Sequence, residues 1–100
     1  SFLHGEAVSI GMMGAAYIAE HMGMISEEVV GRQQRLLERF NLPIRASGVA
    51  VDAVLGAMTL DKKVQGGSNR WVLLEDVGKA VVRSDVPREL VEATVRDLVS

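Results

Sequence analysis

Apolar positions recur at helical spacing along most of the chain, and each run is closed by a recognisable stop. Gly5 to Met22 reads as one helix crowded with small residues: Ala7, Gly11, Gly14, Ala15, Ala16 and Ala19. A glycine inside a helix costs up to about 1 kcal/mol relative to alanine, and close packing is the usual compensation. Ala7, Gly11 and Ala15 lie on successive turns, so one face is nearly bare and should meet a tightly packed partner. Gly23 suits the residue just past the helix end. Ser26 offers an N-cap, and Glu27 and Glu28 complement the positive end of a second helix running to about Phe40. Its apolar positions are Val29, Val30, Leu36, Leu37 and Phe40, and Asn41-Leu42-Pro43 stops it, because a residue before proline avoids the helical region.

A loop or extended connector over Ile44 to Val49 follows, then a third helix from Ala50 to Leu60 with Val51, Val54, Leu55 and Met58 as its stripe. It ends on Asp61-Lys62-Lys63, and Gly66-Gly67-Ser68-Asn69 reads as a flexible loop. Trp71 to Leu74 and Ala80 to Val82 are short strands that the Glu75–Lys79 link can fold into a hairpin. Pro87 opens a last helix through Val99, with Leu90, Val91, Val95 and Leu98 inward. The expectation is a mainly α domain over residues 1–100, with four principal helices and a small β-hairpin.

Composition narrows the function classes. With 48% hydrophobic and 24% charged residues the chain is of globular type, and a net charge of −2 gives no reason to expect nucleic acid or an anionic membrane as partner. The absence of cysteine excludes disulfides and thiolate metal sites, in keeping with a reducing, cytoplasmic setting. The apolar run Ala7 to Ala19 falls short of the roughly 20 residues a membrane span requires. The chain opens on Ser-Phe-Leu-His-Gly-Glu without an initiator Met, which raises the expectation that it belongs to something larger.

Candidate chemistry is sparse. His4-Gly5-Glu6 stands immediately before the first expected helix, where a histidine projects from a fixed point and a glycine admits close approach. Metal chemistry normally needs three protein ligands, and His21 lies about 25 Å along the same helix by rise alone, too far to share an ion with His4. Taken by themselves, a helix-start role for His4 and a dipole role for Glu6 in the first turn are the ordinary assignments. Lys62 and Lys63 either complement the negative end of the third helix or hold a substrate carboxylate or phosphate. Gly66-Gly67-Ser68 has neither nucleotide-loop spacing and reads as a turn. The methionines at 12, 13, 22, 24 and 58 read as core filler.

Taken in order, these strings resemble the 3-dehydroquinate synthases. The matching residues are Leu3-His4-Gly5-Glu6-Ala7-Val8-Ser9-Ile10-Gly11-Met12, Leu36-Leu37, Asn41-Leu42-Pro43, and Met58 through Asp61-Lys62-Lys63-Val64. Val72-Leu73-Leu74, Val77-Gly78-Lys79-Ala80 and Pro87-Arg88-Glu89-Leu90 continue the match over nearly the whole chain. The resemblance implies the C-terminal metal- and substrate-binding domain of an enzyme that converts 3-deoxy-arabino-heptulosonate 7-phosphate to 3-dehydroquinate and phosphate in the shikimate route. It further implies NAD in an N-terminal domain absent from this chain, a divalent metal (zinc or cobalt) between the domains, and a homodimer. The implied sequence of events is temporary oxidation by NAD, phosphate elimination, re-reduction and ring closure. His4 matches the family's last metal ligand, one of Lys62 and Lys63 matches a contact to the anionic substrate, and Glu6 is expected to support the metal ligand from behind. No residue of the chain is assigned as catalytic. The remaining metal ligands and the NAD site would lie before Ser1, so the chain alone is expected to be inactive, and missing helices are expected among the partners of the bare helix face. Related sugar-phosphate cyclases, iron-dependent alcohol dehydrogenases and a non-catalytic helical interaction module are the alternatives.

Overall fold

A computed structural model describes residues 2–60 and 70–100, with the backbone alone for residues 2–4. The described residues form four helices and one hairpin, in the order α1 (Phe2–His21), α2 (Glu27–Arg39), α3 (Val51–Met58), β1 (Trp71–Asp76), β2 (Lys79–Arg83) and α4 (Arg88–Val99). α1 is the axis of the fold: α2, α3, α4 and β1 all pack against it. A helix used on every side has to be apolar nearly all round. Accordingly Ile10, Met13, Ala16, Ile18 and Ala19 are all buried to the limit, and only Val8 and Met12 stay open along its middle.

The bare face of α1 is met from within the chain. A methyl group built on Gly11 would stand 3.2 Å from Met58 Cγ and 3.6 Å from Ala57 Cβ, and one on Gly14 would stand 3.1 Å from Met58 Sδ. The partner that the missing side chains admit is therefore α3, with Leu98 of α4 beside it. α3 is only eight residues long, and the small residues of α1 allow it to lie almost against the helix backbone.

Both long helices end in the same device. Met24 N–H donates to Ala19 O and Gly23 N–H to Glu20 O, with Gly23 at φ 76°. Leu42 N–H donates to Leu37 O and Asn41 N–H to Glu38 O, with Asn41 at φ 58°. This paired closure satisfies carbonyls that a helix end otherwise leaves open. Ser26 caps α2 as expected, its hydroxyl accepting from Val29 N–H. Phe40, expected on the apolar stripe, is instead the C-cap of α2 and 67% exposed, while Gln33 occupies the buried row between Val30 and Leu37.

β1 and β2 pair antiparallel from Trp71↔Arg83 to Asp76↔Lys79, with an irregularity between Leu74 and Asp76. Gly78, at φ 73°, closes the two-residue turn. Trp71, Leu73 and Leu74 face the core. A second join draws α3 to this hairpin: Thr59 bridges Trp71, Leu60 N–H donates to Arg70 O at 3.1 Å, and Thr59 Oγ1 donates to the same carbonyl at 2.8 Å. Stretch 61–69 thus leaves and re-enters the fold between two residues hydrogen-bonded to each other. α4 follows Pro87 and buries Val91, Val95 and Leu98.

Candidate functional site

The helix start sits earlier than the glycine suggests. Phe2 and Leu3 join α1, so His4 lies inside the first turn and not ahead of it. Nothing before His4 breaks a helix, and a single glycine at position 5 slows one without stopping it. Two consequences follow. Position 4 is carried by the most heavily packed element of the molecule, and Glu6 falls in the second turn. The dipole attraction fades beyond the first turn, so the ordinary account of Glu6 loses its basis. Glu6 is half-buried, and among the described residues its carboxylate makes no ion pair or hydrogen bond. Helical register sets position 4 in line with Val8 and Met12, the two open large apolar residues among the described side chains of α1.

A residue that the spacing argument passed over anchors this end of the helix. Ser9 is 1% exposed, and its hydroxyl donates to Pro43 O at 2.7 Å, with Glu6 O at 3.2 Å. That bond ties the turn after α2 to the second turn of α1. The signal available in sequence was a hydroxyl in a row of small apolar residues, where a buried serine needs an acceptor.

His21 is at the other end of α1, exposed, in a cleft of about 510 Å³ that Tyr17, Arg45, Thr94 and Asp97 also line. The two histidines are thus kept apart by the whole helix, as expected. Lys62 and Lys63, together with the Gly66–Asn69 loop, lie outside the described residues. What is described changes the weight of their two readings. α3 stops at Met58 and Thr59 is extended (φ −120°, ψ 152°), so Lys62 comes four residues after the helix has ended. Complementing the dipole of α3 is no longer a sufficient reason for two lysines here. Among the described residues no group of three His, Asp or Glu side chains could hold a metal ion.

Among the described residues, perturbed titration is found around the hairpin. Asp85 is held below its ordinary value by the Arg83 guanidinium, which donates from Nε at 2.8 Å and from Nη2 at 2.6 Å. Lys79 is raised by its hydrogen bond and ion pair with Glu75, 2.9 Å away. Both pairs are on the surface and serve the hairpin alone.

Residues 1–64, which carry the His4 turn, the Ser9 tie and α3, match the family described as 3-dehydroquinate synthase C-terminal. The chain belongs to that family. Its curated relatives extend the match to the hairpin and α4. The 3-dehydroquinate synthase of Nitrosospira multiformis is 48% identical over 87 residues, 87% of this chain and 24% of its own length. Those of Acinetobacter baumannii and Nostoc punctiforme are 42% and 38% identical, each over 95% of this chain and 26% of their own length. The chain spans about a quarter of the length of the curated relatives it matches. No described helix is long and apolar enough to cross a membrane.

Proposed function

We propose that residues 1–100 are the metal- and substrate-binding C-terminal domain of a 3-dehydroquinate synthase, which converts 3-deoxy-arabino-heptulosonate 7-phosphate to 3-dehydroquinate with release of phosphate. The observation that carries this is the 48% identity over 87 residues to a protein of that name. The setting of His4 supports it: the residue belongs to the N-terminal turn of the helix against which α2, α3, α4 and β1 all pack.

The donor chemistry fits one share of a metal site. The chain offers a single imidazole at position 4, a suitable ligand for zinc or cobalt, and the described residues supply no set of three. His4 would be one ligand, with the others supplied by the longer synthase polypeptide and Glu6 steadying the site from behind. When bound, a divalent metal supplies Lewis-acid polarisation and orientation of the substrate hydroxyls. The chain's own residues do the remainder of its part. α1 fixes position 4, the Ser9–Pro43 bond keeps the neighbouring turn in place, and Lys62 or Lys63 holds the anionic substrate by charge and three N–H donors. NAD does not fit this chain. Its sequence has no G-x-G-x-x-G string, and no described helix opens from a glycine-rich turn after a strand, so NAD is assigned to the N-terminal domain. A cytoplasmic homodimer completes the reading.

The test is phosphate release from that sugar phosphate, with NAD and zinc, by a synthase in which this chain replaces the matching quarter of the Nitrosospira multiformis relative. Release that collapses in His4→Ala supports both the reaction and the ligand. Release indifferent to His4→Ala keeps the reaction and removes His4 from the site. A folded, zinc-loaded protein that releases nothing from this substrate but turns over another sugar phosphate makes the domain part of a related cyclase.

A further inference from the structure

Among the described buried side chains of α1, Ser9 alone is polar, and its hydroxyl reaches an acceptor 34 residues away, the Pro43 carbonyl at 2.7 Å. A methyl group would fill the same space; what the hydroxyl adds is a bond of fixed direction. The carbonyl it meets is itself held. Just beyond it, Arg45 Nη2 donates to Asp97 O and Ala46 N–H to Leu98 O, both at 3.0 Å. The connector after α2 is thus fastened to the end of α4 on one side and to α1 on the other. Little else fixes this end of α1. From Gly5 to Ser9 only Ala7 and Ser9 are buried, a Cβ built on Gly5 meets nothing within 4 Å, and Val8 is 39% exposed. The Ala7 methyl packs with little regard to small rotations of the helix, whereas a hydrogen bond weakens as its angle departs from linear. Position 4 lies five residues before Ser9, about 7.5 Å along the axis and most of the way round to the other side of the helix. Pinning Ser9 to the connector therefore sets how far this end of the helix is turned and how far it has slid, and with them where position 4 stands.

We propose that Ser9 is a positioning residue for the metal centre: its bond to Pro43 O fixes the rotation and height of the start of α1, and so the geometry in which His4 meets a divalent metal. The inference rests on the assignment of His4 as a ligand. Ser9 acts through the helix and not by contact with the ion. Ligand sites tolerate errors of only about 0.5 Å or about 10–20°. A helix start freed to move by more than that weakens the site without dismantling the fold.

The experiment uses the chimera with the Nitrosospira multiformis relative and reads metal binding in place of turnover. Zinc affinity is measured by competition with a chromophoric chelator, and ligand geometry by the visible absorption of the cobalt-loaded protein. Ser9→Ala should bind zinc about tenfold more weakly, with a shifted cobalt absorption. Alanine favours the helix, so this variant should keep the circular dichroism spectrum of the unmodified chimera. Ser9→Thr retains a hydroxyl and should restore both readings. Gly23→Ala, which strains the closure at the far end of α1, should leave both unchanged. If His4→Ala loses zinc while Ser9→Ala binds it as before with the same cobalt spectrum, the inference is overturned and the ligand assignment stands. Equal losses in Ser9→Ala and Gly23→Ala overturn it too, since Ser9 then contributes only stability. A loss that Ser9→Thr does not restore removes the hydroxyl as its cause. Zinc affinity indifferent to His4→Ala takes away the ligand assignment itself, and the inference with it.

Discussion

A buried serine, a buried glutamine and a left-handed asparagine show how single residues carry this fold. Ser9→Ala leaves the Pro43 carbonyl without its donor and should lower stability by about 1–2 kcal/mol, measured by urea unfolding of the 100-residue chain. Gln33→Met should act in the opposite sense. It removes an unpaired buried acceptor at nearly constant volume and should leave the isolated chain equally stable or more stable by about 1 kcal/mol. At the helix ends, Gly23→Ala places a Cβ in the left-handed region and should cost about 1–2 kcal/mol, whereas Asn41→Gly should be neutral or mildly stabilising. Thermal unfolding of the two variants side by side checks the sign at each end.

At the scale of elements, periodicity and stop signals located every helix and both strands to within a few residues, and the disagreements have physical causes. α1 begins three residues early because Phe2 and Leu3 are good enough helix formers to carry the turn past Gly5. α3 ends two residues early because Thr59 is drawn into a bridge with Trp71, a contact between distant positions that no local pattern announces. Gln33 was missed as a core position because a polar side chain interrupts the apolar count while its helical row stays buried. The hairpin carries its own pH dependence. Asp85 is depressed in the folded state, so its contribution is present above the ordinary aspartate range and lost as pH falls through the lower folded midpoint. Lys79 is raised, so its contribution is present below the ordinary lysine range and lost as pH rises through the higher folded midpoint. Between those limits the hairpin pairs should be indifferent to pH. Carboxyl NMR should place the Asp85 midpoint below that of an ordinary aspartate and return it towards ordinary in Arg83→Gln.

For the molecule as a whole, the fold was readable from the chain, whereas the proposed site rests on likeness alone. Hydrophobic spacing announces helices wherever they pack, but one imidazole and two lysines announce nothing until other polypeptide stands opposite them. The isolated 100-residue chain should therefore release no phosphate from the sugar phosphate; steady release by purified chain would overturn that expectation. The join at Thr59, Leu60, Arg70 and Trp71 has a bearing on how such a domain can change over time. With the two ends of stretch 61–69 fastened to each other, closing a stretch twice as long would cost only about 0.6 kcal/mol more. Length can thus be gained or lost between Leu60 and Arg70 at little cost to the join that fastens them. On the proposed assignment of Lys62 or Lys63 to the anionic substrate, that contact could change by insertion, deletion or exchange of charge without altering the join itself.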